Sequence, residues 1–155
     1  MRTIKIFLAS SGELAKEREK IALFIAQENN EFVKQNIYLK LVVWEELLHS
    51  LNHVGIQYYF NQEMLKCDIV IALFYKKVGQ FTKEEFDIAY KSLKEGNNPQ
   101  HIFVFFKEPT MTEINKDTLE EALKVIELKE EIEKAKQIYN TFSFEQDLIL
   151  KLKNR

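Results

Sequence analysis

The chain has 155 residues, the size of one domain around one core. A composition of 46% hydrophobic and 30% charged residues, with four Gly and two Pro, excludes a disordered or fibrous protein. The net charge of −2 comes from Lys/Arg and Asp/Glu interleaved along the whole length, which leaves no basic stripe for a phosphate backbone and argues against nucleic acid as a direct partner.

The first apolar run, Ile4-Lys5-Ile6-Phe7-Leu8-Ala9, is too short for a signal peptide or a membrane span. It reads as a strand ending in the turn Ser10-Ser11-Gly12, and no later run reaches membrane length, so a cytoplasmic protein without membrane contact is expected. Leu14, Ile21, Leu23, Phe24 and Ile25 recur at largely helical spacing from Glu13 to about Asn29, where Asn29-Asn30 supplies a stop. Residues 38–44 form a second strand, Glu45 to Val54 a loop, and residues from about Ile56 to Lys66 a second helix. Cys67 is the single cysteine, which excludes an internal disulfide and a Cys-cluster zinc site; it reads as a small buried apolar residue and fits a reducing compartment.

Asp68 to Phe74 is the most apolar stretch, as a central parallel strand covered on both faces requires. The loop Tyr75 to Phe81 leads into a helix from Thr82 to about Glu95, closed by Gly96-Asn97-Asn98-Pro99, and His101 to Phe106 is a fourth strand. Beyond Pro109 the pattern gives a charged helix from roughly Asp117 to Tyr139 and a shorter one from Phe144 to Lys153, with no fifth strand visible. The stripe Val125, Leu128, Ile132, Ala135 and Ile138/Tyr139 has two readings, cover for the sheet edge or pairing with another copy. The alternation predicts an α/β, doubly wound, flavodoxin-like and mainly parallel sheet of four to five strands with flanking helices. A single domain spans 1–155, with a core over about 3–106 and a helical C-terminal part over about 110–153.

In such a sheet the ligand crevice lies beyond the carboxyl ends of the strands. That selects the loops Ser10 to Glu13, Trp44 to Asn52 and Phe74 to Glu85. On the helix that follows the third loop, Phe86, Ala89, Tyr90 and Leu93 share one face, Glu84 points away from it and Glu85 lies near its edge. Glu85 is therefore the better placed acid and Glu84 the runner-up. A second reading competes: Thr82-Lys83-Glu84-Glu85 matches a capping box, with Thr82 as N-cap and Glu85 reaching back. Trp44, Phe74 and Tyr75 stand at strand ends where a planar ring can stack, or they pack in the core. Ser10, Ser11 and Gly12 offer hydroxyls and backbone N–H groups to a diphosphate at a helix N-terminus, without a glycine-rich fingerprint to support it. His49 and His53 are four apart but lack a third ligand at recognised spacing, so no metal is expected; His101 opens a strand and reads as structural.

The run DIVIALFYKKVGQFTKEEFDIA, together with IKIFLASSGEL, resembles bacterial TIR and TIR-like domains and their relatives among nucleoside deoxyribosyltransferase-like folds over about residues 3 to 106. In those families a Glu early in the helix after the third strand, followed four residues later by a small residue, acts on the ribose of a nucleotide; Glu85 and Ala89 match that spacing. The Ser-x-Trp-Cys lead-in of animal and plant TIR helices is replaced by Gly79-Gln80-Phe81-Thr82, which is closer to the prokaryotic TIR-like class. The resemblance implies a working site on Gly79 to Phe86, with Gly79 and Thr82 among the substrate contacts and Glu85 as the catalytic carboxylate. It implies cleavage of the nicotinamide-ribose bond of NAD+, to nicotinamide and ADP-ribose or a cyclic isomer, with NAD+ as substrate and no cofactor. It further implies self-association into an oligomer or filament, with a fused or separate sensor, in antiphage or immune signalling. Two alternatives remain, a TIR-type assembly scaffold without catalysis and an N-glycosidase acting on other nucleosides or nucleotides.

Overall fold

The computed structural model describes residues 1–10, 12–42, 56–76, 80–109, 115–135 and 137–153. Five strands, β1 (Arg2–Ser10), β2 (Ile37–Val42), β3 (Ile69–Phe74), β4 (His101–Lys107) and β5 (Tyr139–Phe142), form an all-parallel sheet in the order β2-β1-β3-β4-β5. The helices are α1 (Ala15–Phe32), α2 (Ile56–Met64), α3 (Gln80–Lys94), α4 (Leu119–Lys134) and α5 (Glu145–Lys153). The strand order reverses between β1 and β3, the switch point at which open α/β sheets hold ligands. Among the described residues no helix is long and apolar enough to cross a membrane.

The apolar run of β3 occupies the middle of the sheet, as its composition predicts, and Val70 to Phe74 are each no more than 3% exposed. Side chains alternate across the sheet and split the core in two. On one face Ile6, Leu8, Ile71, Leu73 and Phe105 pack against Ile21 and Ile25 of α1 and Leu148 of α5. On the other, Ala72, Phe74, Val104 and Phe106 meet Phe86 of α3 and Leu128 and Ile132 of α4. Beside that group Phe7, Ala9 and Val70 meet Met64, Cys67 and Ala89.

Several boundaries differ from the sequence reading, each for an identifiable reason. The first helix runs through Asn29-Asn30 to Phe32 and ends in a short 3₁₀ turn, Val33–Gln35. Asn29 has a tertiary partner there: its amide donates to the Leu39 carbonyl at 2.9 Å, and its oxygen accepts the Leu39 N–H at 2.7 Å. The side chain thus answers β2 as a neighbouring strand would, and covers part of the sheet edge. Asp68 lies just before β3 rather than in it, its carboxylate accepting the Lys5 N–H at 2.9 Å and its carbonyl the Gln100 N–H at 2.8 Å, which ties together the starts of three strands.

The C-terminal part is not wholly helical. α4 stops at Lys134, and Tyr139–Phe142 is the fifth strand, paired in parallel with Val104 to Lys107. Ile138/Tyr139 fits a helical stripe by spacing alone, but among the described residues β5 is the last strand of the sheet, and Tyr139 and Phe142 supply its apolar content. The Val125, Leu128 and Ile132 stripe packs on the sheet face rather than its edge. Phe142 and Leu148 belong to the same core as β1 and β3, so the region beyond residue 110 is part of the domain's body.

The third helix begins at Gln80, two residues before the expected Thr82. Its end matches the Gly96 prediction: the Asn97 N–H donates to the Ser92 carbonyl and the Gly96 N–H to the Leu93 carbonyl, both at 3.0 Å. Gly96 takes φ +81°, the left-handed conformation that a chain reversal of this kind requires.

Candidate functional site

Each crossover helix runs back against its strands, so the first half of α3 stands beside the carboxyl end of β3. The ring of Phe86 meets that of Phe74, the last residue of β3, edge-on at 6.4 Å between centroids, and stacks on Tyr90 at 6.1 Å. One turn further on, Ala89 is fully enclosed against Phe7 and Ala9. Only a small side chain lets the helix lie this close to the sheet. Glu85 is on the same side of α3 as Ala89 and one turn nearer the strand ends.

Glu85 is 8% exposed and Glu84 is exposed, so the helix separates the two acids as the angular count requires. Glu85 is more enclosed than a position at the edge of the buried face predicts, because the ring of Phe86 draws the helix down onto Phe74. The capping-box reading does not survive the helix start at Gln80, which places Thr82 inside the first turn and Glu85 in the second. On the outer side of α3, Lys83 bridges Asp87 at 2.6 Å and Glu131 of α4 at 3.5 Å.

The other expected contacts divide. Phe74 is 1% exposed, stacked on Phe106 at 5.2 Å, and is a core residue with no face for a ligand. Tyr75 is half-buried on the opposite, α1 side of the sheet. Ser10 ends β1 opposite Leu73, at the switch point, and its buried hydroxyl has no hydrogen-bond partner among the described residues. Gly12 opens a one-turn 3₁₀ helix ahead of α1. Ser11, Trp44, Gly79, His49, His53 and the loop from Glu45 to Val54 lie outside the described residues, as does the side chain of Thr82. Ser10, Tyr75 and Glu85 therefore share the carboxyl edge of the sheet, with Tyr75 on one face and Glu85 on the other.

A further acid at this edge escaped the sequence reading. Glu17, in the first turn of α1, is 2% exposed and receives the ammonium of Lys107, the last residue of β4, at 2.7 Å. The same ammonium lies 4.6 Å from the centre of the Tyr75 ring. In the sequence Glu17 is hidden within the charged run KEREK, which reads as a solvated helix face. The available signal is its register: Leu14, Glu17, Ile21 and Phe24/Ile25 follow the helical repeat, so the carboxylate stands on the apolar stripe.

Across the ends of β3 and β4, reaching to α4, lies a cavity of about 170 Å³ lined by Tyr75, Lys76, Lys107, Glu108, Ala122 and Lys129 among others. Elsewhere, Cys67 is enclosed at the end of α2, its thiol donating to the Glu63 carbonyl at 3.5 Å, and burial pushes its pKa up to about 12. That thiol is inert at neutral pH. Compared with models of protein families, with curated proteins and with solved structures, the chain matches none.

Proposed function

We propose that the chain is a TIR-like NAD+ glycohydrolase that cleaves the nicotinamide-ribose bond, with Glu85 as its catalytic carboxylate. The observation that carries this reading is the placement of Glu85: a carboxylate 8% exposed, one turn before a fully enclosed Ala89, beside the carboxyl end of the central strand. The reaction asks little of a protein beyond such a group. Nicotinamide departs from a pyridinium with the bonding pair and leaves neutral, so no strong general acid is needed. Positive charge develops on the ribose, and a carboxylate fixed in a water-poor crevice stabilises that charge far better than one in bulk solvent. Water then adds to the anomeric carbon and releases one proton, giving ADP-ribose; attack by a nitrogen of the adenine gives the cyclic isomer instead.

Self-association fits an exposed apolar row on α4, where Leu119, Leu123 and Ile126 recur at helical spacing and are each 50% exposed or more. Assembly with a sensor in a cytoplasmic immune response, with no metal or further cofactor, completes the proposal. The test is release of base by concentrated protein, with and without a crowding agent, from NAD+ and separately from nucleosides. Glu85→Gln is expected to lower NAD+ cleavage by about 10²–10³-fold or more, while Glu84→Gln leaves it unchanged. Cleavage of nucleosides but not NAD+ would reassign the substrate, and no cleavage at any concentration would leave an assembly scaffold.

A further inference from the structure

The cavity at the ends of β3 and β4 brings ammonium groups from three places in the fold onto one opening. Lys76 follows β3, Lys107 ends β4 and Lys129 comes from the middle of α4. Each is held by an aromatic ring. The ammonium of Lys107 lies 4.6 Å and that of Lys76 5.3 Å from the centre of Tyr75, and that of Lys129 lies 5.2 Å from Phe106 and 6.0 Å from Tyr139. A ring face orders an ammonium without cancelling its charge.

Among the described residues the acids within ion-pair distance of these groups are Glu17, at 2.7 Å from Lys107, and Glu108, at 3.9 Å from Lys129. Lys107 is thereby neutralised, Glu108 sits at the outer limit of an ion pair, and Glu133, which accepts from the Tyr139 hydroxyl at 2.8 Å, adjoins Lys129 through that ring, so the positive charge left for a ligand is on Lys76 and Lys129. Lys129 is already ordered, with its side chain 23% exposed, so an anion that binds it meets little further loss of freedom there. Ala122, Val125 and Ile126 add an apolar wall. Several separated ammonium groups suit an anion with several charged oxygens, and the wall suits a body with little polarity of its own.

We propose that this cleft binds a nucleoside phosphate, its phosphates on Lys76 and Lys129 and its base against the Ala122 wall, as a site separate from Glu85. Titration calorimetry of the full chain with ADP in low salt tests this, with adenosine and inorganic pyrophosphate as controls. ADP is expected to bind more tightly than either control. Lys129→Met, which keeps the apolar stem on Phe106 and Tyr139, is expected to weaken ADP by about tenfold or more. Ala122→Trp fills the opening without changing its charge and is expected to abolish binding, so the two variants check each other if one folds poorly. Glu85→Gln is expected to keep full ADP affinity even if it abolishes NAD+ cleavage, and ADP binding is expected whether or not the wild-type chain cleaves NAD+. Equal affinity for ADP and adenosine, equal affinity for ADP and pyrophosphate, or ADP binding untouched by both cleft variants would each overturn the proposal.

Discussion

The two faces of the sheet use their buried polar groups differently. On the α1 face Glu17 is joined to Lys107 across 2.7 Å and Asn29 is joined to the backbone of Leu39, so both polar side chains fasten one element to another. On the α3 face a buried acid, Glu85, precedes Phe86, whose ring meets Phe74 edge-on while Phe74 stacks on Phe106. Replacing an acid that locks a helix to a strand is read in stability, whereas replacing one that acts on a substrate is read in activity. Burial alone does not separate the two cases; the two measurements do.

The largest expected effect is on activity. If Glu85 acts as proposed, Glu85→Gln lowers NAD+ cleavage by about 10²–10³-fold, more than any shift of its thermal midpoint accounts for. A large loss of stability with cleavage retained would make Glu85 a second Glu17. On the other face the expectation reverses: Lys107→Met leaves Glu17 buried without its cation and should cost about 3–5 kcal/mol in urea unfolding, whereas Glu17→Met/Lys107→Met together should recover most of it. A single-variant cost below about 1 kcal/mol would show the pair to be ornamental.

Smaller effects sharpen the same division. Asn29→Ala strips the Leu39 N–H and C=O of their partner and should cost about 1–3 kcal/mol, with sedimentation velocity showing new association through the uncovered β2 edge. The α3 face should show a pH dependence from Cys67. Its pKa is raised from 9.0 to about 12 by burial, so the unfolded chain ionises first as pH rises; stability is full below about 9 and falls from there toward 12. By pH 10 the loss is about 1–2 kcal/mol, and Cys67→Ala, followed by circular dichroism across that range, should remove this part of it.

How much of this the chain discloses by itself depends on where each residue's partner lies. The apolar run of β3 is self-sufficient, since a strand covered on both faces needs little but its own composition. Gly96 is equally local, because the reversal it permits involves only its neighbours. Asn29 reads as a stop because its partner, Leu39, is on another element. β5 is not visible in the sequence because four residues containing Asn140 and Thr141 form a strand only when Val104 to Lys107 are beside them. Of the two acids, the burial of Glu85 follows from the spacing of Phe86 and Ala89, while Glu17 gains its meaning from Lys107, which is 90 positions away in the chain.

The peptide unit between Phe74 and Tyr75 joins these two worlds. Phe74 sends its ring to Phe86, the neighbour of Glu85, and Tyr75 lies under the ammonium that Glu17 holds. Two consecutive residues at the end of the central strand thus belong to opposite faces, and each is a ring packed beside an element that carries a buried acid. A substitution at Phe74 or at Tyr75 therefore disturbs one face and leaves the other as an internal control.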